Sequence, residues 1–208
     1  EGPQPVRRYI KKIEPVESVP MQCIQVEDQD GLYLAGAELV VTHNSTMAAR
    51  DLEPKLFLPN KQYWIVAPTY DLGEKEFRVV WNDLIIKLGL GKDKSIRRVY
   101  NKKQGNMVIE FPWQTRLEVR SADHPENLVG EALDGVIMSE AAKHKKETWE
   151  QFIRPSLADR RGFADFPTTP EGYNWYYDLW MLGKDPEFVD YQSWRFPTWA
   201  NSALFPLG

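Results

Sequence analysis

Leu133-Asp134-Gly135-Val136-Ile137-Met138-Ser139-Glu140-Ala141-Ala142 is the stretch on which the fold turns. Its apolar part lacks the alternation of a half-solvated strand, so it reads as a strand covered on both faces. Ser139 and Glu140 follow at the strand's C-terminal end, where open α/β sheets bind their ligands. Tyr63-Trp64-Ile65-Val66-Ala67 is a second run of the same kind. Between the two, Phe77, Val80, Trp81, Leu84, Ile85 and Leu88 recur at helical spacing. They predict an amphipathic helix ended by Gly89 and Gly91. Met107 to Phe111 and Arg116 to Arg120 read as strands joined across Pro112-Trp113. Ser45 to Leu58 reads as a helix with Ser45 or Thr46 as cap, stopped by Pro59-Asn60. Lys146 to Leu157 reads as a helix broken by Pro155. Strands alternating with helices imply an α/β sheet from Ser45 onward. The tail from Asp185 is aromatic and Pro-rich and shows no regular period.

Residues 1–44 have a different texture. Short β-prone runs at Val19 to Val26, Leu32 to Leu34 and Leu39 to Thr42 are separated by Asp30-Gly31 and Ala35-Gly36-Ala37. These are hairpin signals, and no helical period is present. The chain therefore divides into a small all-β segment, 1–44, and an α/β segment, 45–208.

Composition narrows the function classes. The 208 residues are 42% hydrophobic and 27% charged, which is the globular, soluble range. No apolar run approaches the ~20 residues of a membrane span, so no membrane partner is expected. The N-terminus lacks the layout of a signal peptide. A single cysteine, Cys23, excludes an internal disulfide and fits a reducing compartment. Net charge is −4, so a DNA partner would be met by a local patch. One basic run, Lys92, Lys94, Arg97, Arg98, Lys102 and Lys103, reads either as phosphate contact or as a solvated loop, the latter favoured about two to one. Glu1 in place of Met, and the stop just after Phe205-Pro206, read as cut ends.

The segment Leu133 to Ala142 resembles the Walker B segment of phage terminase large subunits. Phe166-Pro167-Thr168-Thr169-Pro170-Glu171-Gly172-Tyr173-Asn174-Trp175-Tyr176-Tyr177-Asp178-Leu179-Trp180 resembles their coupling motif and the helix after it. Trp64 to Tyr70 and Glu126 to Gly130 fit the same family. The resemblance covers about residues 45–205 and implies a P-loop NTPase-like sheet using ATP and Mg2+, with the nuclease domain absent. It assigns Glu140 to the attacking water, Thr168 and Thr169 to the γ-phosphate state, and Ser139 to the metal. Ser139 stands where the family usually has Asp, and a hydroxyl holds a magnesium hydration shell less firmly than a carboxylate. Either the subgroup tolerates Ser, or metal binding leans on Ser45 and the nucleotide. Arg120, Arg154, Arg160 and Arg161 include candidate arginine fingers, although a surface role is the better reading for any one of them. The partners implied are double-stranded DNA, the portal protein, the terminase small subunit and further copies in a ring. The place of action implied is the cytoplasm of the bacterial host, outside the virion. The rival is a DNA- or portal-binding module with a decayed ATPase site, supported by Ser139 alone.

Val40-Val41-Thr42-His43-Asn44-Ser45 resembles the last motif of inteins with the first residue of the downstream flank. Val19 to Leu34 resembles the motif that precedes it. The residue types suit the chemistry. The Asn44 side-chain nitrogen bonds to its own carbonyl carbon, and the bond from that carbon to the Ser45 nitrogen breaks. A succinimide forms, and holding the side chain in place supplies much of the acceleration. His43 polarises the carbonyl or protonates the leaving nitrogen. Ser45 takes an acyl group as an ester and passes it to its own amine. A histidine often found at the position of Gly31 is absent, and Cys23 is either a helper or a small buried residue. This part needs no cofactor, and its partner is an N-terminal intein fragment. A split intein and a truncation both fit.

The chain contains no G-x-x-x-x-G-K-[ST] phosphate loop. Ser45-Thr46 nevertheless opens a helix where a terminase has Lys-Ser-Thr. The expectation is an intein inserted between the Lys and Ser of that loop. Ser45 then acts first as splicing nucleophile and later, with Thr46, at the metal and nucleotide. The chain alone is expected to show little ATPase activity.

Overall fold

The computed structural model describes the backbone of 33–35 and 40–42 and the residues 44–195. Most of the segment 1–44 lies outside these residues, Cys23, Gly31 and His43 included. Two expected strands fall within them: β1 (Tyr33–Ala35) and β2 (Val40–Thr42), which form a two-stranded sheet.

The second unit, Thr42–Trp194, is built on a six-stranded mixed sheet. Its strands are β3 (Gln62–Ala67), β4 (Arg97–Asn101), β5 (Asn106–Glu110), β6 (Arg116–Ser121), β7 (Gly135–Met138) and β8 (Phe163–Asp165). They lie in the order β4-β5-β6-β3-β7-β8. The β4, β5 and β6 pairings are antiparallel, whereas β6, β3, β7 and β8 run parallel. Helices α1 (Asn44–Leu52), α2 (Tyr70–Val80), α3 (Arg154–Ala158) and α4 (Trp175–Leu182) complete it. The expected α/β sheet is therefore present.

The central strands are apolar on both faces because both are covered. Tyr63, Ile65 and Ile137 face one cluster with Ala48, Ala49 and Leu52 of α1 and Phe77 and Val80 of α2. Trp64, Val66, Val136 and Met138 face the other, with Leu133, Trp149, Ile153 and Leu157. Each strand thus alternates between two cores rather than between core and water.

Several element boundaries differ from expectation. The helix placed over Ser45 to Leu58 is α-helical to Leu52 and then tightens to 3-10 winding over Glu53–Phe57, where Pro54 enters. The helix read from Phe77 starts earlier, at Tyr70, and widens to π winding over Trp81–Lys87. Lys146 to Leu157 is a π turn, Thr148–Ile153, followed by α3, with Pro155 in α3's first turn where its missing N–H is harmless. Arg97–Asn101, read as a basic loop, is the edge strand β4. Its charges are compatible with a half-exposed edge; Arg97 pairs with Glu110 at 3.3 Å and Lys102 with Asp71 at 3.1 Å.

Candidate functional site at the carboxyl end of the central strands

Three elements converge where β7 ends. The first is the start of α1, which carries Ser45, 5% exposed, and the half-buried Thr46. The Asn44 side-chain oxygen accepts the Ser45 backbone N–H at 2.9 Å, so the side chain is folded back onto the 44–45 peptide. The second is β7 itself, which delivers Ser139 and Glu140. The third is α2, whose buried stripe contains Gly73, Glu76, Phe77 and Val80. Gly73 lets the helix approach closely. A Cβ there would stand 2.8 Å from Val119 Cγ1 and 3.1 Å from Ala67 Cβ.

Glu76 is fully buried, at 0% exposure, and so is Ser139. The Ser139 hydroxyl donates to Glu76 Oε1 at 2.7 Å. Burial pushes the Glu76 carboxyl above its usual range; the Ser139 and Ser45 hydroxyls act against that, and the Glu140 charge adds to it. Glu140 has a left-handed backbone (φ 51°), uncommon for a residue with a side chain. Its carboxylate lies 3.6 Å from Lys75 Nζ. Glu76 escaped the sequence reading although a signal was present. Continued backwards from Val80 by one turn, the apolar face predicts a buried position at 76, and a glutamate occupies it.

The segment after β7 is tied to the segment after β8. The Ala141 N–H donates to the Pro167 carbonyl at 3.3 Å, and the Ala142 N–H to Thr168 Oγ1 at 3.1 Å. Asn174 Nδ2 donates to the Ala142 carbonyl at 3.4 Å. The Asn174 side-chain oxygen also caps α4 by accepting the Tyr176 N–H at 3.0 Å. Thr168 thus touches the loop that begins at Glu140, while Thr169 is exposed beside it. His144 is buried below Ser139; its Nε2 lies 3.0 Å from the Ser139 carbonyl. Burial holds its pKa below the usual histidine value.

The arginine candidates separate. Arg120 lies at the Ser139 end of the sheet, in register with Val66. It bonds Glu118 and Glu131 and stacks 5.0 Å over Trp64. Arg160 is at the opposite end, bonded to Asp134 at 2.8 Å and to the Asn60 carbonyl at 3.0 Å. A polar cleft of about 550 Å³ also opens there, lined by Gln62 and Arg116 at the strand starts, with Arg97 and Arg160. It is therefore remote from Ser139 and Glu140.

No protein-family model matches the chain. Over 135 residues, 60% of this chain, it is 33% identical to the terminase large subunit of Thermus virus P23-45. It superposes on the large terminase ATPase domain of Thermus phage P74-26 with a TM-score of 0.60 and 27% identity, across 78% of this chain and 73% of that one. This chain is homologous to the ATPase domain of phage terminase large subunits. The terminase match spans 28% of the P23-45 subunit's length. A further match, 45% identical over 40 residues, covers 19% of this chain and 7% of the replicative DNA helicase DnaB of Mycobacterium intracellulare.

The terminase-like site has a donor set suited to a small hard cation. Hydroxyls of Ser45 and Ser139 and carboxylates of Glu76 and Glu140 offer oxygen alone. Among the described residues no group of three or more His, Cys, Asp or Glu side chains is placed to hold a metal ion. Among the described residues no helix is long and apolar enough to cross a membrane.

Proposed function

We propose that residues 45–208 are part of a terminase motor ATPase that drives double-stranded DNA into a procapsid, and that residues 1–44 are the C-terminal part of an intein interrupting its phosphate loop. The observation that carries the motor reading is the meeting of Ser45, Ser139 and Glu140 at the carboxyl end of β7, in a chain homologous to terminase ATPase domains. Bound Mg2+ would neutralise phosphate charge at this end of the sheet. Ser45 and Thr46 would meet the metal and nucleotide, Ser139 would contact the metal's shell, and Glu140 would orient the attacking water. Thr168 and Thr169 would pass the nucleotide's state to the segment before α4. The portal protein, the terminase small subunit and a homo-oligomeric ring belong to the same reading, as does the bacterial host's cytoplasm.

Two observations support the intein part. β1 and β2 form a small sheet just before Asn44. A 40-residue likeness to a helicase, amounting to 7% of that protein, is what a segment shared between unrelated hosts would leave. The rival reading, a binding module with a decayed site, gains little from Ser139, whose hydroxyl is bonded to a carboxylate.

One experiment tests both parts. The chain is mixed with an N-terminal intein fragment preceded by a G-x-x-x-x-G-K flank. The expected product starts its downstream flank at Ser45 and hydrolyses ATP with Mg2+, whereas the unspliced chain does so little. A spliced product without ATPase activity would sink the motor reading. Failure of any splicing, with no cleavage after Asn44, would sink the intein reading.

A further inference from the structure

We propose that Glu76 supplies the carboxylate that anchors the metal's hydration shell at this site, in the role that the neutral Ser139 leaves unfilled. The inference rests on the ATPase reading above and deepens it. Four observations carry it. Glu76 is fully buried and projects from α2 to the end of β7, where its Oε1 accepts the Ser139 hydroxyl at 2.7 Å. The hydroxyl that replaces the family's usual acid is thus bonded directly to an acid from another element. Glu76 Oε2 is buried and has no hydrogen-bond partner, although buried polar atoms are nearly always paired. Ser45, the expected metal ligand of α1, approaches the same carboxylate without completing a bond to Oε2. Glu140 adds a second negative charge nearby; its cation, Lys75, is 3.6 Å from Glu140 Oε1.

A carboxyl with one oxygen bonded to the Ser139 hydroxyl, the other buried and unpaired, and the charge of Glu140 nearby is short of positive charge. A divalent cation with its waters meets that need. Hydrogen bonds from those waters would reach Oε2, while the Ser139 hydroxyl fixes the orientation of the group. An acid at position 139 and an acid at position 76 would place charge in the same space from opposite sides. A chain with Glu76 can therefore carry serine at the end of β7.

The test is Mn2+ binding to the full 208-residue chain, followed by electron paramagnetic resonance of free Mn2+, alone and with ATP. The variants are Glu76→Gln, Ser139→Asp and the two combined, with circular dichroism melts to establish folding. Glu76→Gln keeps the shape and the bond to Ser139 but removes the charge. It is expected to weaken Mn2+ about 10- to 100-fold, the range for lost outer-shell partners. Adding Ser139→Asp to it is expected to restore most of the affinity. Wild-type affinity in a folded Glu76→Gln protein would overturn the inference while leaving the ATPase reading intact. No Mn2+ retention by the wild type, with or without ATP, would remove the metal site itself and this inference with it. If Glu76→Gln fails to fold, Glu76→Asp, which keeps the charge on a shorter arm, takes its place; it should bind measurably but more weakly, and unchanged affinity would again overturn the proposal.

Discussion

The Trp175 indole N–H donates to the His144 carbonyl at 2.7 Å, joining the first residue of α4 to the loop that follows Ser139 and Glu140. His144 in turn lies 3.0 Å from the Ser139 carbonyl. A short chain of contacts therefore runs from the end of β7 to α4. Replacing Trp175 by Phe keeps most of the apolar surface and strands the His144 carbonyl. The expected cost is about 1–2 kcal/mol of unfolding free energy in a denaturant titration. A loss below a few tenths would show that the contact does not hold α4 in place.

Gly162 and Gly135 should respond differently to alanine. A Cβ at Gly162 would lie 2.5 Å from the Leu133 carbonyl oxygen and 2.9 Å from the Asp134 carbonyl carbon, so backbone must move. At Gly135 the close atoms belong to the outer ring of Phe163, the nearest at 2.3 Å, and a ring edge can swing aside. Gly162→Ala is expected to cost about 1–3 kcal/mol, in the range of overpacked sites, and Gly135→Ala less. Matched thermal and denaturant melts would check the order, and a reversed order would contradict the packing described.

Asp134 predicts the acid side of the stability curve. Burial alone would raise its carboxyl, but bonds from Lys61, the Gln62 backbone and Arg160 outweigh that and hold it below the usual range. Its folded pKa is thus below the unfolded value of about 3.9. The stability it contributes is fully present above about pH 4 and is lost as pH falls through the folded pKa. The stability difference between wild type and Asp134→Asn should therefore be largest near neutral pH and shrink in acid. A difference independent of pH would refute this.

Asp165 should act with the opposite sign. Burial, then the charge of Asp51, raises its pKa to about 6 despite Lys55. The group is comfortable when protonated, and its ionisation erodes stability as pH climbs from about 4 through about 6. Asp165→Asn is expected to be close to neutral at pH 4 and to stabilise by about 1–2 kcal/mol at pH 8. Urea titrations at the two pH values give the comparison.

Asn44→Ala tests the junction chemistry. It removes the amide nitrogen that closes the succinimide, so mass spectrometry should find no cleavage after residue 44 and no spliced product with a matching N-terminal fragment. Cleavage at the same bond in the variant would mean that Asn44 is not the reacting group.

Local pattern alone determined much of this protein. The apolar runs at Tyr63 to Ala67 and Val136 to Met138 fall on β3 and β7, because a strand buried on both faces shows itself within a few residues. Of the face read from its spacing, Phe77, Val80, Leu84 and Ile85 are buried, Trp81 is half-buried, and Leu88 in the last turn is exposed. The sequence also placed Ser45, Ser139 and Glu140 at the ends of their elements. Tertiary structure decided the rest. Arg97–Asn101 becomes a strand through its pairing with β5, and Arg160 is spent on Asp134. The bond between Ser139 and Glu76 joins residues 63 apart. Helical period exposes Glu76 as an acid on an apolar face. Its partner follows from the crossover that lays α2 on the sheet beside α1, and no local window contains that.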